Sequence, residues 1–347
     1  MTTPPALKLL LGAKWRPLTI MIATIVMLAL VDRGAGYFFS IATAFSVLQQ
    51  FATLGFISLA LGISMLVREF DLSVPGIMGL AGCIAVMTGV RNPWLGLICG
   101  VAAGVISGAV QGILMTRLRI SSVGVTLGGL LTLQGMTSVV TANQTIYYPN
   151  LPVSLALSTP IAGLLSVRSL AALGVFFVAA FIMTFTRIGR DLAATGGDRR
   201  ASMIAGVKTN SVLVAVFITS GALSALGGVL LSYSLGAASP VGLADVFAPA
   251  VAAAIIGGVP LIGGRGHPLG IAAGVLTLCI LHSGFNAIGV PPAVHEIVTG
   301  LILFSIAVMD APELLQEIVR WRLRRQERSD KSGVMVLNAD PDAREGG

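Results

Sequence analysis

The sequence predicts an all-α, polytopic membrane protein, and three observations carry that prediction. The mean hydropathy is +0.91 and only 11% of residues are charged, against about 25% in a soluble domain. The charges are clustered, which leaves uncharged runs from Gly34 to Val67, Leu72 to Val90, Asn92 to Thr116, Ile120 to Val167 and Thr209 to Ala244. A bilayer crossing needs roughly 20 apolar residues, and these runs lack the recurring polar face of a water-exposed helix.

About ten spans follow, near 17–31, 45–66, 72–90, 94–115, 120–140, 169–186, 211–233, 247–262, 268–288 and 295–311. Residues 1–16 form a cytoplasmic N-terminus; without a small-residue cleavage site they read as part of an uncleaved anchor. Residues 17–311 are the transmembrane domain. Residues 312–347 form a cytoplasmic tail that opens as a basic amphipathic helix, Pro312 to Arg328, and turns polar and disordered. The uncharged outer loop 141–168, with Pro149, Pro152 and Pro160, is expected to hold a short helix against the outer face.

With the N-terminus inside, 19 of the Lys and Arg residues fall in cytoplasmic segments and 3 outside, namely Arg33, Arg91 and Arg168. Positive residues favour the cytoplasmic side, so both termini are placed there. The same bias accounts for the formal charge of +7 without invoking nucleic acid. Cys83, Cys99 and Cys279 all lie in apolar runs and form neither a metal-ligand pattern nor a disulfide framework. The glycines at 100, 104 and 108 share one helix face and fit close helix packing. An echo of Gly112-Ile-Leu-Met…Ile120-Ser-Ser-Val in Leu278-Cys-Ile-Leu…Ile288-Gly-Val-Pro suggests an inverted internal repeat, with any substrate path at its interface.

The segment 187–208 breaks this pattern. It sets seven charges among glycines between two apolar runs. Gly189 is expected to end the sixth span. Arg190 to Thr195 then makes a turn or two of helix, which Gly196-Gly197 breaks. Asp198 caps a second helix from Arg199 through Ala201 to Ala205, closed by Gly206. A small-residue side and an arginine side suit docking into a partner's cleft.

Gly189-Arg-Asp-Leu-Ala-Ala-Thr-Gly-Gly-Asp-Arg-Arg-Ala-Ser-Met-Ile-Ala-Gly-Val resembles the cytoplasmic coupling segment of ribose-type permease subunits of bacterial ABC importers. These belong to the branched-chain amino acid/ribose permease superfamily. Phe70-Asp-Leu-Ser-Val-Pro-Gly and Ala253-Ala-Ile-Ile-Gly-Gly-Val-Pro-Leu-Ile-Gly-Gly-Arg-Gly resemble two further motifs of that family, in the same order. The family often has Asn or Glu where this chain has Asp198 and Arg199, a surface change that docking should tolerate. Leu243-Ala-Asp245 is poorer in acidic and aromatic residues than the family pattern.

The resemblance implies a permease that carries a monosaccharide or polyol across the inner membrane. Its implied partners are ABC ATPase subunits, a periplasmic sugar-binding protein and a second permease copy or homologue. The chain has no phosphate-binding loop of its own, so it carries no cofactor and ATP would be bound by partner subunits. It has no catalytic constellation and is read as no enzyme. Asp71 and Ser73 are read as caps of the third span. Gln134 either bonds a neighbouring helix or lines the path. His282 and Asn286, one turn apart, share a face and have the same two readings. The competing functions are a nucleoside or branched-chain amino acid permease, or an ion-coupled secondary transporter. The last would need buried acidic residues, and no Asp or Glu lies deep within any assigned span.

Overall fold

The computed structural model describes residues 16–32, 38–240, 244–260, 263–305 and 308. Most of the N-terminal segment, the end of the tenth span and all of the tail lie outside the described residues. The chain divides into two units, Met1–Ile302 and Leu303–Gly347, and the bundle packing below concerns the first.

The chain is a polytopic all-α membrane protein. Its helices are α1 (Arg16–Asp32), α2 (Ile41–Leu66), α3 (Val74–Thr88), α4 (Pro93–Leu118) and α5 (Ser122–Val140). There follow α6 (Leu151–Ser158), α7 (Val167–Phe185), α8 (Arg187–Gly197), α9 (Arg199–Ile204) and α10 (Thr209–Leu235). The chain continues through α11 (Phe247–Ile256), α12 (Pro268–Ala287) and α13 (Pro292–Ser305). Among the described residues six helices are long and apolar enough to cross a membrane, and four apolar ones are shorter.

Local chemistry sets the ends. Ser40 accepts from the Thr43 amide to open α2. Asn92 accepts from the Trp94 and Leu95 amides, with Pro93 in the first position of α4. Ser166 and Ser169 form a reciprocal capping box at α7. α10 stops at Gly236, where φ is +66°.

Two shortened helices sit in the bundle. With about 1.5 Å of rise per residue, the 15 residues of α3 and 10 of α11 fall short of the roughly 30 Å hydrocarbon core. Their predicted spans, 72–90 and 247–262, were too long. α3 is apolar on all sides and is buried almost throughout among α2, α4, α5 and α10. Non-helical backbone at membrane depth is tolerated only inside protein or beside a cavity. The chain after Ala238 obeys that rule: the Pro240 carbonyl stands 4.0 Å from where a Gly79 Cβ on α3 would sit.

α4 and α10 pack along most of their length. A Cβ on Gly104 would overlap Ala225 and the Gly221 carbonyl, and one on Gly108 would overlap the Phe217 carbonyl. Lipid tails supply no hydrophobic drive for helix pairing, so close backbone approach must. The outward sides of α4, α5 and α7 expose Ile98, Leu131, Val139, Phe177 and Phe181, as suits helices facing lipid.

The loop 141–168 holds α6 and a two-residue strand, Ile146–Tyr147, antiparallel to Ala237–Ala238. Tyr148 and Tyr233 stack there at 4.6 Å and bond the Gly89, Ala85 and Pro93 carbonyls. Arg91 and Arg168 lie toward this end. Arg68, Arg117, Arg119, Arg265 and the charged segment lie at the other, termed the basic end.

Candidate functional site: a braced helix pair

Thr186 ends α7 and caps α8, its hydroxyl accepting from the Gly189 amide at 3.4 Å. Gly189 therefore does not end the sixth span. It lies in the first turn of α8, where a Cβ would overlap the Met183 backbone, so the fold-back there requires glycine. α8 buries Gly189, Leu192, Thr195 and Gly196 on one side. Arg190, Ala193, Ala194 and Gly197 are exposed on the other.

Gly196-Gly197 does not break the helix either; both residues are its last turn. A Cβ on Gly196 would overlap the Leu66 carbonyl and come within 3.2 Å of Gly264. Glycine serves here for close approach, and the chain turns one residue later. At that turn Asp198 accepts from the Arg200 and Ala201 amides at 2.9 and 3.0 Å, the capping role the sequence suggested. Those amides, Ala201 foremost, hold the Asp198 carboxyl below its ordinary pKa. α9 ends at Ile204, and the chain turns away two residues later at Gly206, whose φ is +88°. Ala201, Met203 and Ile204 are exposed, Ile204 at 88%.

Two unforeseen residues, Arg68 and Glu69, brace the pair. Arg68, in the left-handed region at φ +65°, donates from Nε to the Gly196 carbonyl at 2.6 Å and from Nη2 to the Gly197 carbonyl at 2.9 Å. The last carbonyls of a helix lack partners within it and carry its negative pole, so a guanidinium caps α8 well. The Gly264 amide donates to the Leu66 carbonyl at 3.0 Å. Arg199 donates to Glu69 at 2.6 Å, so its identity is more than a surface change.

The braces lead into the bundle through the next two residues, Phe70 and Asp71. The Phe70 amide donates to Ser122 and its carbonyl accepts from Thr126. Its ring meets Phe247, the first residue of α11, edge-on at 6.2 Å. Asp71 is buried. Its Oδ1 accepts from the Ser73 amide and hydroxyl at 3.0 and 2.6 Å, and its Oδ2 accepts from the Ser220 hydroxyl of α10 at 2.6 Å. Neither Asp71 nor Ser73 caps α3 as expected: Asp71 bonds the Ser73 amide and hydroxyl just before the helix, and the engaged Ser73 hydroxyl makes no cap bond to it.

The other candidates are dispersed. Gln134 is half-buried on α5. His282 bonds Thr299 of α13 at 3.0 Å and stacks on His295 at 5.3 Å, while Asn286 is exposed one turn on. His282 and Asn286 stay one turn apart on α12, while Gln134 lies on α5 and shares no hydrogen bond with either.

A family model described as "Branched-chain amino acid transport system / permease component" matches residues 43–307. The chain belongs to that family. The ribose import permease protein of Escherichia coli (strain K12) is 28% identical over 304 residues, covering 84% of this chain and 92% of that protein. The autoinducer 2 import system permease protein of Yersinia pseudotuberculosis serotype O:1b (strain IP 31758) is 29% identical over 289 residues, 82% and 80% of the two chains. The fructose import permease protein of Rhizobium meliloti is 27% identical over 304 residues, 85% and 84%. No solved structure matches the chain. The braced helix pair, all of α2 but its first two residues, and α3 to α13 fall within the part matched to the family.

Proposed function

We propose that the chain is the permease subunit of an ATP-driven importer for a monosaccharide or related polyol. The observation that carries this reading is the helix pair α8–α9: it offers Arg190, Ala193, Ala194, Ala201 and Ile204 to solvent while its inner side is clamped to the bundle. The import permeases named above, two of them for sugars, support the substrate class. The family description, which names branched-chain amino acids, keeps such solutes as the second reading.

In this reading the basic end faces the cytoplasm, in line with the 19-to-3 division of Lys and Arg. A partner ATPase seats on the exposed side of α8–α9, and a second permease copy completes the path. Closing of the ATPases displaces the pair. Arg68 and Arg199 pass that displacement to the 68–71 loop, hence through Asp71 to α10 and α3 and through Phe70 to α11. Shortened helices commonly border the substrate site in transporters, so α3 and α11 are the moving wall. No bond is made or broken in this chain.

The test is reconstitution with a candidate ATPase and binding protein, with Ala201→Cys as a crosslinking site. A crosslink to the ATPase with ATP-stimulated sugar uptake supports the reading. Uptake that follows an ion gradient and no crosslink would replace it with an ion-coupled carrier.

A further inference from the structure

Between α7 and α10, on the membrane-facing side of the bundle, lies a groove of about 1100 Å³ that ends beneath α8. Leu59 and Ile63 of α2 form its back, and Val178, Ile182, Val212 and Val216 are among its walls. Its floor is open at Gly174, where a Cβ would meet nothing within 4 Å. Within the groove Thr219 turns its hydroxyl to its own helix, onto the Ala215 carbonyl at 2.8 Å. From Ser211 to Leu223 the groove follows α10 for roughly 18 Å at helical rise. One leaflet's share of the hydrocarbon core is about 15 Å.

The mouth differs in chemistry. It is lined by Arg187, Asp191 and Lys208, two cations and one carboxylate. Arg187 is the first residue of α8 and Lys208 immediately precedes α10, so both cations stand at positive helix poles, which favour phosphate. An apolar shaft one leaflet long, opening on a net positive mouth at headgroup depth, is the shape and charge of a single lipid.

We propose that this groove is a binding site for a glycerophospholipid with an anionic headgroup. The acyl chains lie between α7 and α10, and the phosphate bridges Arg187 and Lys208. The bound lipid would fill the space under α8, from which the helix pair projects.

Delipidated full-length permease in detergent would be titrated with dioleoyl phosphatidylglycerol or dioleoyl phosphatidylcholine and read by native mass spectrometry. The expected result is one phosphatidylglycerol held about tenfold more tightly than phosphatidylcholine, the effect of one to two surface cations. The double substitution Arg187→Gln, Lys208→Gln should abolish the preference, weakening phosphatidylglycerol more than phosphatidylcholine, whose phosphate loses the same two cations. Gly174→Phe, which fills the open floor, should displace both lipids; Ala215→Phe repeats the block from the opposite wall should the first variant fold poorly. Equal affinity for the two headgroups in the wild type would overturn the proposal, as would unchanged lipid binding in a folded plugged variant. A disulfide-linked dimer through Val178→Cys in native membranes would also overturn it, assigning the groove to a second copy.

Discussion

Arg199 Nη2 lies 2.6 Å from Glu69 Oε1, joining the first residue of α9 to the loop between α2 and α3 across 130 positions of sequence. Glu69 is mostly covered, at 14% exposure, and Arg199 is open, at 40%. An ion pair this exposed contributes little to stability, about 0.2–1 kcal/mol. Its use is geometric: Phe70 and Asp71 follow at once, so the pair ties α8–α9 to α10 and α11.

That placement predicts a charge-swap result. Arg199→Glu and Glu69→Arg alone should each lower ATP-coupled uptake several-fold while moving the melting temperature little, since the stability at stake is within about 1 kcal/mol. The double swap should recover most of the uptake. Reconstituted transport with all four variants checks this, and a double variant no better than either single one would mean the pair does not carry the coupling.

The adjacent glycines of α8 should part company. A Cβ on Gly196 has nowhere to go against Leu66, so Gly196→Ala should cost about 1–3 kcal/mol of overpacking and dislodge the Arg68 bonds. Gly197 has nothing within 4 Å of a Cβ. Alanine there should stabilise the helix by about 0.5–1 kcal/mol. Thermal unfolding of the two purified variants distinguishes them by the sign of the shift.

The same glycines mark the limit of the sequence. The spans were legible because an uncharged run of 20 residues has one physical solution in a bilayer. The Gly100, Gly104 and Gly108 face was legible because its spacing is helical. Gly196-Gly197 was misread as a break because composition does not separate a glycine that needs positive φ from one pressed against another backbone. Asp198, a local cap, was found; Arg68, whose carbonyl partners lie 128 and 129 residues away, carried no local signal. Asp71 was misread as a helix cap, and its bond to Ser220 depends on how α3 and α10 pack.

Two groups outside the spans set an acid limit on the basic end. Asp198 has its pKa lowered by the Ala201 and Arg200 amides. Its cap is therefore complete above the ordinary carboxyl value of 3.8 and is lost as pH falls through the lower folded value. His267 accepts the Leu269 amide on Nδ1 at 3.2 Å, and its Nε2 faces Thr184 at 3.0 Å. Burial lowers its pKa from 6.5, so its neutral cap is complete above that value and is lost on further acidification. Hydrogen exchange against pH should show Leu269 losing protection at higher pH than Arg200 and Ala201. Protection at Leu269 that held steady down to the carboxyl range would contradict the His267 assignment.

Asp71 gives the sharpest contrast between removing a partner and replacing it. Its carboxylate satisfies the Ser73 amide and two buried hydroxyls, Ser73 and Ser220, both at 0% exposure. Asp71→Ala would strand those donors, at about 1–3 kcal/mol for each buried group left unpaired. Asp71→Asn keeps one acceptor oxygen for Ser73, and its amide can donate to a rotated Ser220 hydroxyl, so it should cost distinctly less. Ser220→Ala removes a donor while Asp71 keeps two bonds, and should fall between them. Melting temperatures of the three variants order these effects. If Asp71→Asn were as damaging as Asp71→Ala, the negative charge itself, rather than its hydrogen bonds, would be what α3 and α10 require.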